Sequence, residues 1–325
     1  MSMTEPEAGM PASALEIVVI GLGEVAQTHL TVLEQIPNID VVAGVDAGGG
    51  SSLVAFRGRG IPVYRTVRDA GADHNPGVVI VATPTPTHAT VCGQVAETFP
   101  SARLLVEKPA AANLTDARRV LGEIGQQQPV EVAYHMSFSP EVTWAVEVAQ
   151  IRADSLGAPV AIESSFSDPY KDESESARSR FCSSWIDSGI NALSVANRFA
   201  EPIERTSLRQ LSEDPESVFE ARLTCWKDDD AVEALLLTSW HVTDAAKTTR
   251  IRYAFGAELV MDHTAVAGYL VQNGAIGAVF GSDRSIPRRE RHYRALYQWW
   301  LVEGKPIIST EISLRLHDLL LRPRD

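Results

Sequence analysis

The chain has 325 residues, of which 45% are hydrophobic and 22% charged, with a formal net charge of −13. Those fractions are ordinary for a globular protein, and the length exceeds the roughly 250 residues at which one core stops growing, so two domains are expected. The acidic balance argues against nucleic-acid binding, which needs clustered Lys and Arg to neutralise phosphates; the one cluster, Arg288-Arg289-Glu290-Arg291, is interrupted by acid and reads as a solvated helix start.

Residues 1–14, MSMTEPEAGMPASA, carry acids where a secretory signal has basic residues, and read as a flexible lead-in. No apolar run reaches the ~18 residues of a membrane helix, so a cytoplasmic protein without a membrane partner is expected. Cys92, Cys182 and Cys225 lie far apart and form no CxxC pair. They suggest neither a disulfide framework nor a zinc site. No two histidines share metal-ligand spacing on one helix, so no metal is predicted.

From residue 15 to about 134, short β-rich runs at 17–20, 41–45, 78–82, 104–106 and 130–133 alternate with helical patterns at 26–35, 87–98 and 114–126. The runs are continuously apolar, as in parallel strands covered on both faces. Asn113 is placed to cap the last helix. Repeated β-α units of this kind predict a doubly wound parallel sheet in an α/β protein. Beyond residue 134 the texture changes. A helix near 140–153 and a strand at 160–167 precede a polar stretch, 168–180, and another helix. Strands then follow at 219–226, 231–241, 249–255 and 258–262, joined by short turns such as Lys227-Asp228-Asp229-Asp230 that imply antiparallel pairing. Helices near 289–302 and 311–321 close the chain. The division expected is 1–14 lead-in, 15–134 dinucleotide-binding domain, and 135–325 substrate-binding and oligomerisation domain.

The first strand runs into Gly21-Leu22-Gly23-Glu24-Val25-Ala26, a GxGxxA pattern. Gly21 permits a tight turn, Gly23 lets backbone approach a pyrophosphate, and the small Ala26 lets helix and strand pack closely. The helix start adds free N–H groups and a positive dipole end. Asp46 ends the next strand, 23 residues beyond Gly23, where a carboxylate accepts from the adenosine ribose hydroxyls. It favours NAD, since it repels a 2′-phosphate; Arg57 and Arg59 could reach over, so NADP stays open. Ligands of such sheets bind beyond the carboxyl ends of the strands, and two of those ends are chemically loaded: Thr83-Pro84-Thr85-Pro86-Thr87-His88 and Glu107-Lys108-Pro109. The expected cofactor contacts are Gly21, Gly23, Glu24, Val25, Ala26, Asp46, Thr83, Pro84, Thr85, His88, Glu107 and Lys108. A lysine held in a partly desolvated pocket can exchange a proton near neutrality.

GxGxxA, "ATPTPTHA", "EKP", "AYHMSFSP" and "DSGIN", in this order and spacing, resemble the Gfo/Idh/MocA oxidoreductase family over nearly the whole chain. The resemblance implies a Rossmann domain followed by a large, open, mostly antiparallel sheet, one face lining the substrate site and the other making a homodimer or homotetramer interface. It also implies a cis Lys108–Pro109 bond. Many members carry Asp-x-x-x-His in the helix that here reads Asp187-Ser188-Gly189-Ile190-Asn191, so Asn191 stands in the His position. The wording "DSGINALS" is similar to the "DPGINALS" of the branch with L-arabinose and D-galactose 1-dehydrogenases, with Ser188 in place of the proline.

If a helix starts near Asp187, rotation of about 100° per residue puts Asp187, Asn191 and Ser194 on one stripe. Asp187 would then face Lys108 and the nicotinamide; the competing reading is that it only caps the helix. The resemblance makes Lys108, Asp187 and Asn191 the catalytic candidates and puts His135 beside the substrate. From the residues themselves, Glu163, on either face of its strand, Trp185, as an aromatic able to stack on a sugar, and Tyr170 are further candidate substrate contacts. His29, His241 and His263 read as structural. The activity expected is NAD(P)-dependent oxidation of the anomeric carbon of an aldopyranose to a lactone. The alternatives are oxidation at another carbon of a sugar, inositol or nucleotide-linked sugar, and a non-catalytic NAD(P)-binding regulator.

Overall fold

The computed structural model describes residues 14–214 and 216–323, with the side chains of Ser176 and Ala177 excepted. The expected lead-in lies outside the described residues apart from Ala14. Six strands, β1 (Leu15–Ile20), β2 (Ile39–Val45), β3 (Val63–Tyr64), β4 (Val78–Val81), β5 (Arg103–Val106) and β6 (Val130–Val132), form a parallel sheet in the order β3-β2-β1-β4-β5-β6. Helices cover both faces, and for that reason Ile17, Val18 and Val19 of β1 and all of β4 are buried without alternation. Strand order reverses between β1 and β4, which opens a crevice at their carboxyl ends. Asn113 caps the helix at Leu114–Arg118 by accepting from the N–H of Asp116.

After β6 the chain leaves this sheet. β7 (Pro159–Ser167), β8 (Glu201–Gln210), β9 (Val218–Lys227), β10 (Asp230–Ser239), β11 (Ala246–Tyr253), β12 (Glu258–Asp262), β13 (Ala267–Gln272) and β14 (Ala275–Gly281) form a second sheet in the order β14-β13-β12-β11-β7-β10-β9-β8. Every pairing is antiparallel except β7 with β10. The Lys227–Asp230 turn makes a tight hairpin with Asp228 at φ 53°, a conformation that Asp tolerates in such turns. β8, β13 and β14 were not expected. β8 is an edge strand rich in exposed charge, and β13–β14 contain Gly and lie half-open to solvent, so neither shows a clean alternation.

One face of the second sheet is covered and the other is open. β11 alternates strictly: Lys247, Thr249, Ile251 and Tyr253 point inward, while Thr248, Arg250 and Arg252 point out. The helix Thr310–Leu321 crosses back to the first sheet, where the Nε2 of His317 accepts the Ala110 N–H at 2.9 Å. Arg205 of β8 donates to the carbonyls of Leu319 and Arg322, and buried apolar side chains from both sheets form one continuous core. No helix among the described residues is long and apolar enough to cross a membrane.

Candidate active site

A cleft of about 1520 Å³ runs from the β1–β2 edge across the switch point to the covered face of the second sheet. At its floor β1 turns into the helix Glu24–Leu33 through Gly21, whose φ is +87°. A Cβ there would stand 2.7 Å from the backbone of Ala82 and Thr83, so only glycine fits. At Gly23 an added Cβ meets nothing within 4 Å, because that position faces the open cleft. Gly23 is the N-cap and has no side-chain cap, so the first N–H groups of the helix point into the cleft unpaired by a side chain.

Asp46 organises the adjacent loop. Its carboxylate accepts from the N–H groups of Leu22 at 2.9 Å, Gly48 at 2.8 Å and Gly50 at 3.3 Å. Arg57 and Arg59 do not line the cleft, and Arg59 is paired with Glu34. Arg65 and Arg68 line it instead, Arg65 donating to the Ala47 carbonyl at 2.8 Å. On the opposite wall His88 bridges two carbonyls, Thr83 at 2.7 Å and Pro109 at 2.9 Å, and so ties the two chemically loaded strand ends together. The Lys108–Pro109 bond is cis.

Glu107 is buried in the wall of the cleft, next to Lys108. Burial works to raise its pKa, but hydrogen bonds from His29 and Tyr293, with the charges of His29 and Lys108, outweigh it and leave the carboxyl lowered. His29 is also hydrogen-bonded to the Tyr297 hydroxyl, which fits the structural role read from sequence. Lys108 projects from the same segment across to the helical stretch at 185–196. Its Nζ lies 2.6 Å from Asp187 Oδ1 and 3.0 Å from the Asp187 carbonyl. Asp187 therefore does not cap a helix: its own N–H already bonds the Ser183 carbonyl, and a wider π-type turn at Trp185–Gly189 leads into the α-helix Ile190–Ala196.

Asn191 is 3% exposed, and its buried Oδ1 has no hydrogen-bond partner among the described residues. The same holds for Nδ1 of His135, whose ring stacks on Tyr293 and His292 at centroid distances of 4.9 and 5.7 Å. Burial, followed by the nearby His292 and Lys108 charges, holds His135 well below its ordinary pKa, so the ring is neutral. Both residues line the cleft beside Lys108 and Asp187. The two unpartnered atoms are themselves buried, so it is the remainder of each side chain that borders the cleft.

Of the sequence-predicted contacts, Gly21, Gly23, Glu24, Val25, Asp46, Thr83, Pro84, Thr85, His88, Glu107, Lys108, His135, Asp187, Asn191 and Tyr170 all line this cleft. Three do not. Ala26 is fully buried behind the turn, where its small size serves packing. Glu163 falls on the open face of β7, because Ile162, Ser164 and Phe166 take the inward parity; it pairs with Arg252 at 3.0 Å. Trp185 is 3% exposed, donates its indole N–H to the Leu320 carbonyl at 2.8 Å and packs over Gly189. His263 is buried on Glu141 and Thr249, whereas His241 lies past the end of β10 and is exposed.

The sequence reading missed Asp168, Lys247, Arg289, His292 and Tyr293, which also line the cleft. Lys247 was legible in principle, since it shares parity with Thr249, Ile251 and Tyr253 on β11. The other four depend on how the helix Arg288–Tyr297 and the end of β7 are docked.

The residues present fit a dinucleotide: an open cradle at Gly23, an uncapped helix start and a carboxylate at the end of β2. Residues 15–134 match the sequence profile of the oxidoreductase family with an NAD-binding Rossmann fold, GFO_IDH_MocA. The rhizopine catabolism protein MocA of Rhizobium meliloti is 28% identical over 141 residues, which is 42% of this chain and 42% of that protein, so the alignment spans less than half of the relative's length. An oxidoreductase from Agrobacterium radiobacter, solved with NAD+, L-tartaric acid and magnesium, superposes with a TM-score of 0.78 at 16% identity, covering 95% of this chain and 94% of its own. UDP-N-acetylglucosamine 3-dehydrogenase from Acidithiobacillus ferrooxidans gives 0.75 at 18% identity, covering 96% and 97%. The two structures share the fold along almost the full length, and residues 15–134 match the NAD-binding Rossmann domain of the Gfo/Idh/MocA oxidoreductase family.

Proposed function

We propose that the protein is a dehydrogenase that oxidises a CH–OH group of a polyhydroxylated ring, and that the group is the anomeric carbon of an aldopyranose of the L-arabinose or D-galactose type, released as a lactone. The observation that carries the reading is the Lys108–Asp187 pair, 2.6 Å apart, standing in one cleft with the glycine turn, with Asn191 and His135 lining the same cleft.

NAD, when bound, supplies the hydride acceptor. Asp187 takes the proton from the hydroxyl as the C–H bond is broken, directly or through water. Lys108 holds the same oxygen and stabilises the negative charge that develops on it. Asn191 and His135 border the ring beside this pair. An anomeric hydroxyl is more acidic than a plain alcohol, which suits a site whose histidine position is filled by an amide that cannot titrate.

In this reading residues 15–134 bind the nucleotide, and residues 135–325 bind substrate and associate with a second copy. The open face of the second sheet, where Trp226, Tyr269, Ile276 and Val279 are exposed, is the surface assigned to a homodimer or homotetramer. The protein is placed in the cytoplasm on the same reading.

A second reading keeps the chemistry and moves it to another carbon of a sugar, an inositol or a nucleotide-linked sugar. It is favoured by the shared fold with a dehydrogenase acting at carbon 3 of a nucleotide sugar. A panel of aldoses, inositols and UDP-sugars, each supplied with NAD or NADP and followed by reduced-cofactor absorbance, separates these. Turnover of D-galactose or L-arabinose with NAD is the expected result. Turnover of UDP-sugars or inositols alone selects the second reading, and cofactor binding with no turnover of any would make the protein a regulator.

A further inference from the structure

Beside the Lys108–Asp187 pair lies a second ammonium–carboxylate pair that neither the sequence motifs nor the reading above employs. Lys247, on the inward parity of β11, places Nζ 2.8 Å from Oδ1 of Asp168, the residue that follows β7. Ser188 donates its hydroxyl to the other carboxylate oxygen at 2.7 Å. Both charged side chains are about nine-tenths buried, yet both line the cleft. Ser188 directly follows Asp187, so the two pairs are joined through one step of backbone, and each pair feels the charge of the other.

Burying two charges is unfavourable unless they are paired and hydrogen-bonded. The pairing here is complete in charge but not in hydrogen-bonding capacity. Lys247 has three donors and Asp168 occupies one; each carboxylate oxygen of Asp168 has a lone pair to spare. A neutral pair that offers one donor and one acceptor side by side repels neither charge sign strongly, and it matches a group that both donates and accepts. That group is a hydroxyl.

We infer that Lys247 and Asp168 clasp the hydroxyl adjacent to the one being oxidised, with Ser188 fixing the carboxylate, so that the enzyme selects substrates with hydroxyls on neighbouring carbons. The inference rests on the dehydrogenase reading and deepens it. It also gives Ser188 a purpose: a proline in that position has no hydroxyl to hold Asp168.

The test uses purified full-length enzyme with NAD and two probes, D-galactose and 2-deoxy-D-galactose, which lacks the hydroxyl next to carbon 1. A site built to hydrogen-bond a hydroxyl rejects the analogue without it strongly, so wild-type kcat/KM is expected to fall by about 100-fold or more on the deoxy sugar. Lys247→Met should slow D-galactose alone and compress that ratio to roughly fivefold or less. Lys247→Arg should keep part of the discrimination. Because a single variant leaves one buried charge alone, the double variant Asp168→Asn/Lys247→Met is run beside it, with NAD affinity by fluorescence as the check on folding. If the folded variants slow both sugars by the same factor, or leave the ratio at its wild-type value, the inference is wrong while the dehydrogenase reading survives. If wild type reduces NAD with neither sugar, the anomeric reading fails first and the clasp falls with it.

Discussion

Lys108 and Asp187, 79 residues apart in the chain, meet at 2.6 Å where the carboxyl end of β5 faces the helical segment of the second sheet. Each side chain is more than four-fifths buried, and the lysine also holds the Asp187 carbonyl at 3.0 Å. A general acid–base group is typically worth about 10²–10⁴ in rate. Asp187→Ala is therefore expected to lower kcat/KM by that factor on whichever sugar the wild type oxidises. NAD affinity, measured by fluorescence titration, should stay within about threefold, because in the proposed mechanism the carboxylate acts on the alcohol and not on the nucleotide. Near-normal turnover in the folded variant would remove Asp187 from the chemistry.

Tyr293 supports the site from below by donating to the buried carboxylate of Glu107. Hydrogen bonds to charged groups contribute about 1.5–3 kcal/mol, and Tyr293→Phe should lose a comparable amount of stability in urea unfolding at neutral pH. The sign of its pH dependence follows from the lowered pKa of Glu107. A carboxyl depressed in the folded state stabilises the fold above the ordinary carboxylate range, and that contribution is lost as pH falls through the folded value. The deficit of the variant should accordingly narrow in acid.

His317 and His292 act in the opposite protonation state. His317 is satisfied as a neutral ring: Nε2 accepts from Ala110 and Nδ1 donates to the Ser313 carbonyl at 2.7 Å. Burial pushes His317 down to about 4 and His292 down to about 3, from an ordinary 6.5. As pH falls below that ordinary value the unfolded chain takes up protons that the folded protein refuses, so stability drops. The loss from His317 between pH 7.5 and 5 is about 2 kcal/mol. Urea midpoints of wild type and His317→Gln at those two pH values check it: the variant should show a shallower decline.

Gly21→Ala should damage the glycine-turn end of the cleft without touching the Lys108–Asp187 pair. The added methyl group would stand 2.7 Å from the Ala82 and Thr83 backbone in a region of positive φ, so the turn must shift. NAD affinity is expected to weaken at least about tenfold, with a lower thermal midpoint, since a single strained and clashing backbone position disrupts the phosphate cradle. Unchanged cofactor affinity would mean the cleft does not hold the pyrophosphate at this turn.

Much of this was legible before any fold was built. Continuous apolar runs and the glycine spacing pointed to the parallel sheet, because strands covered on both faces need no alternation and a phosphate cradle needs backbone without Cβ. Lys108 and Asp187 could be singled out through the resemblance of "EKP" and "DSGIN" to one family. Glu163 could not be resolved, since an acid on a strand reads the same on either face until the neighbouring parity is known. Trp185 was expected as a substrate contact because an aromatic beside the "DSGIN" stretch gives no sign of which way it points.

By itself, the order of residues determined the first sheet, its switch point and the chemistry available at each strand end, since these follow from short-range patterns and from local backbone needs. Only the tertiary structure decided which of those groups share a cavity. Lys247 and Asp168 meet because β11 pairs with β7 in one register, and Tyr293 reaches Glu107 because a helix near the chain end packs against the helix Glu24–Leu33. Such contacts join residues far apart in sequence, and no local periodicity encodes where two distant side chains will end.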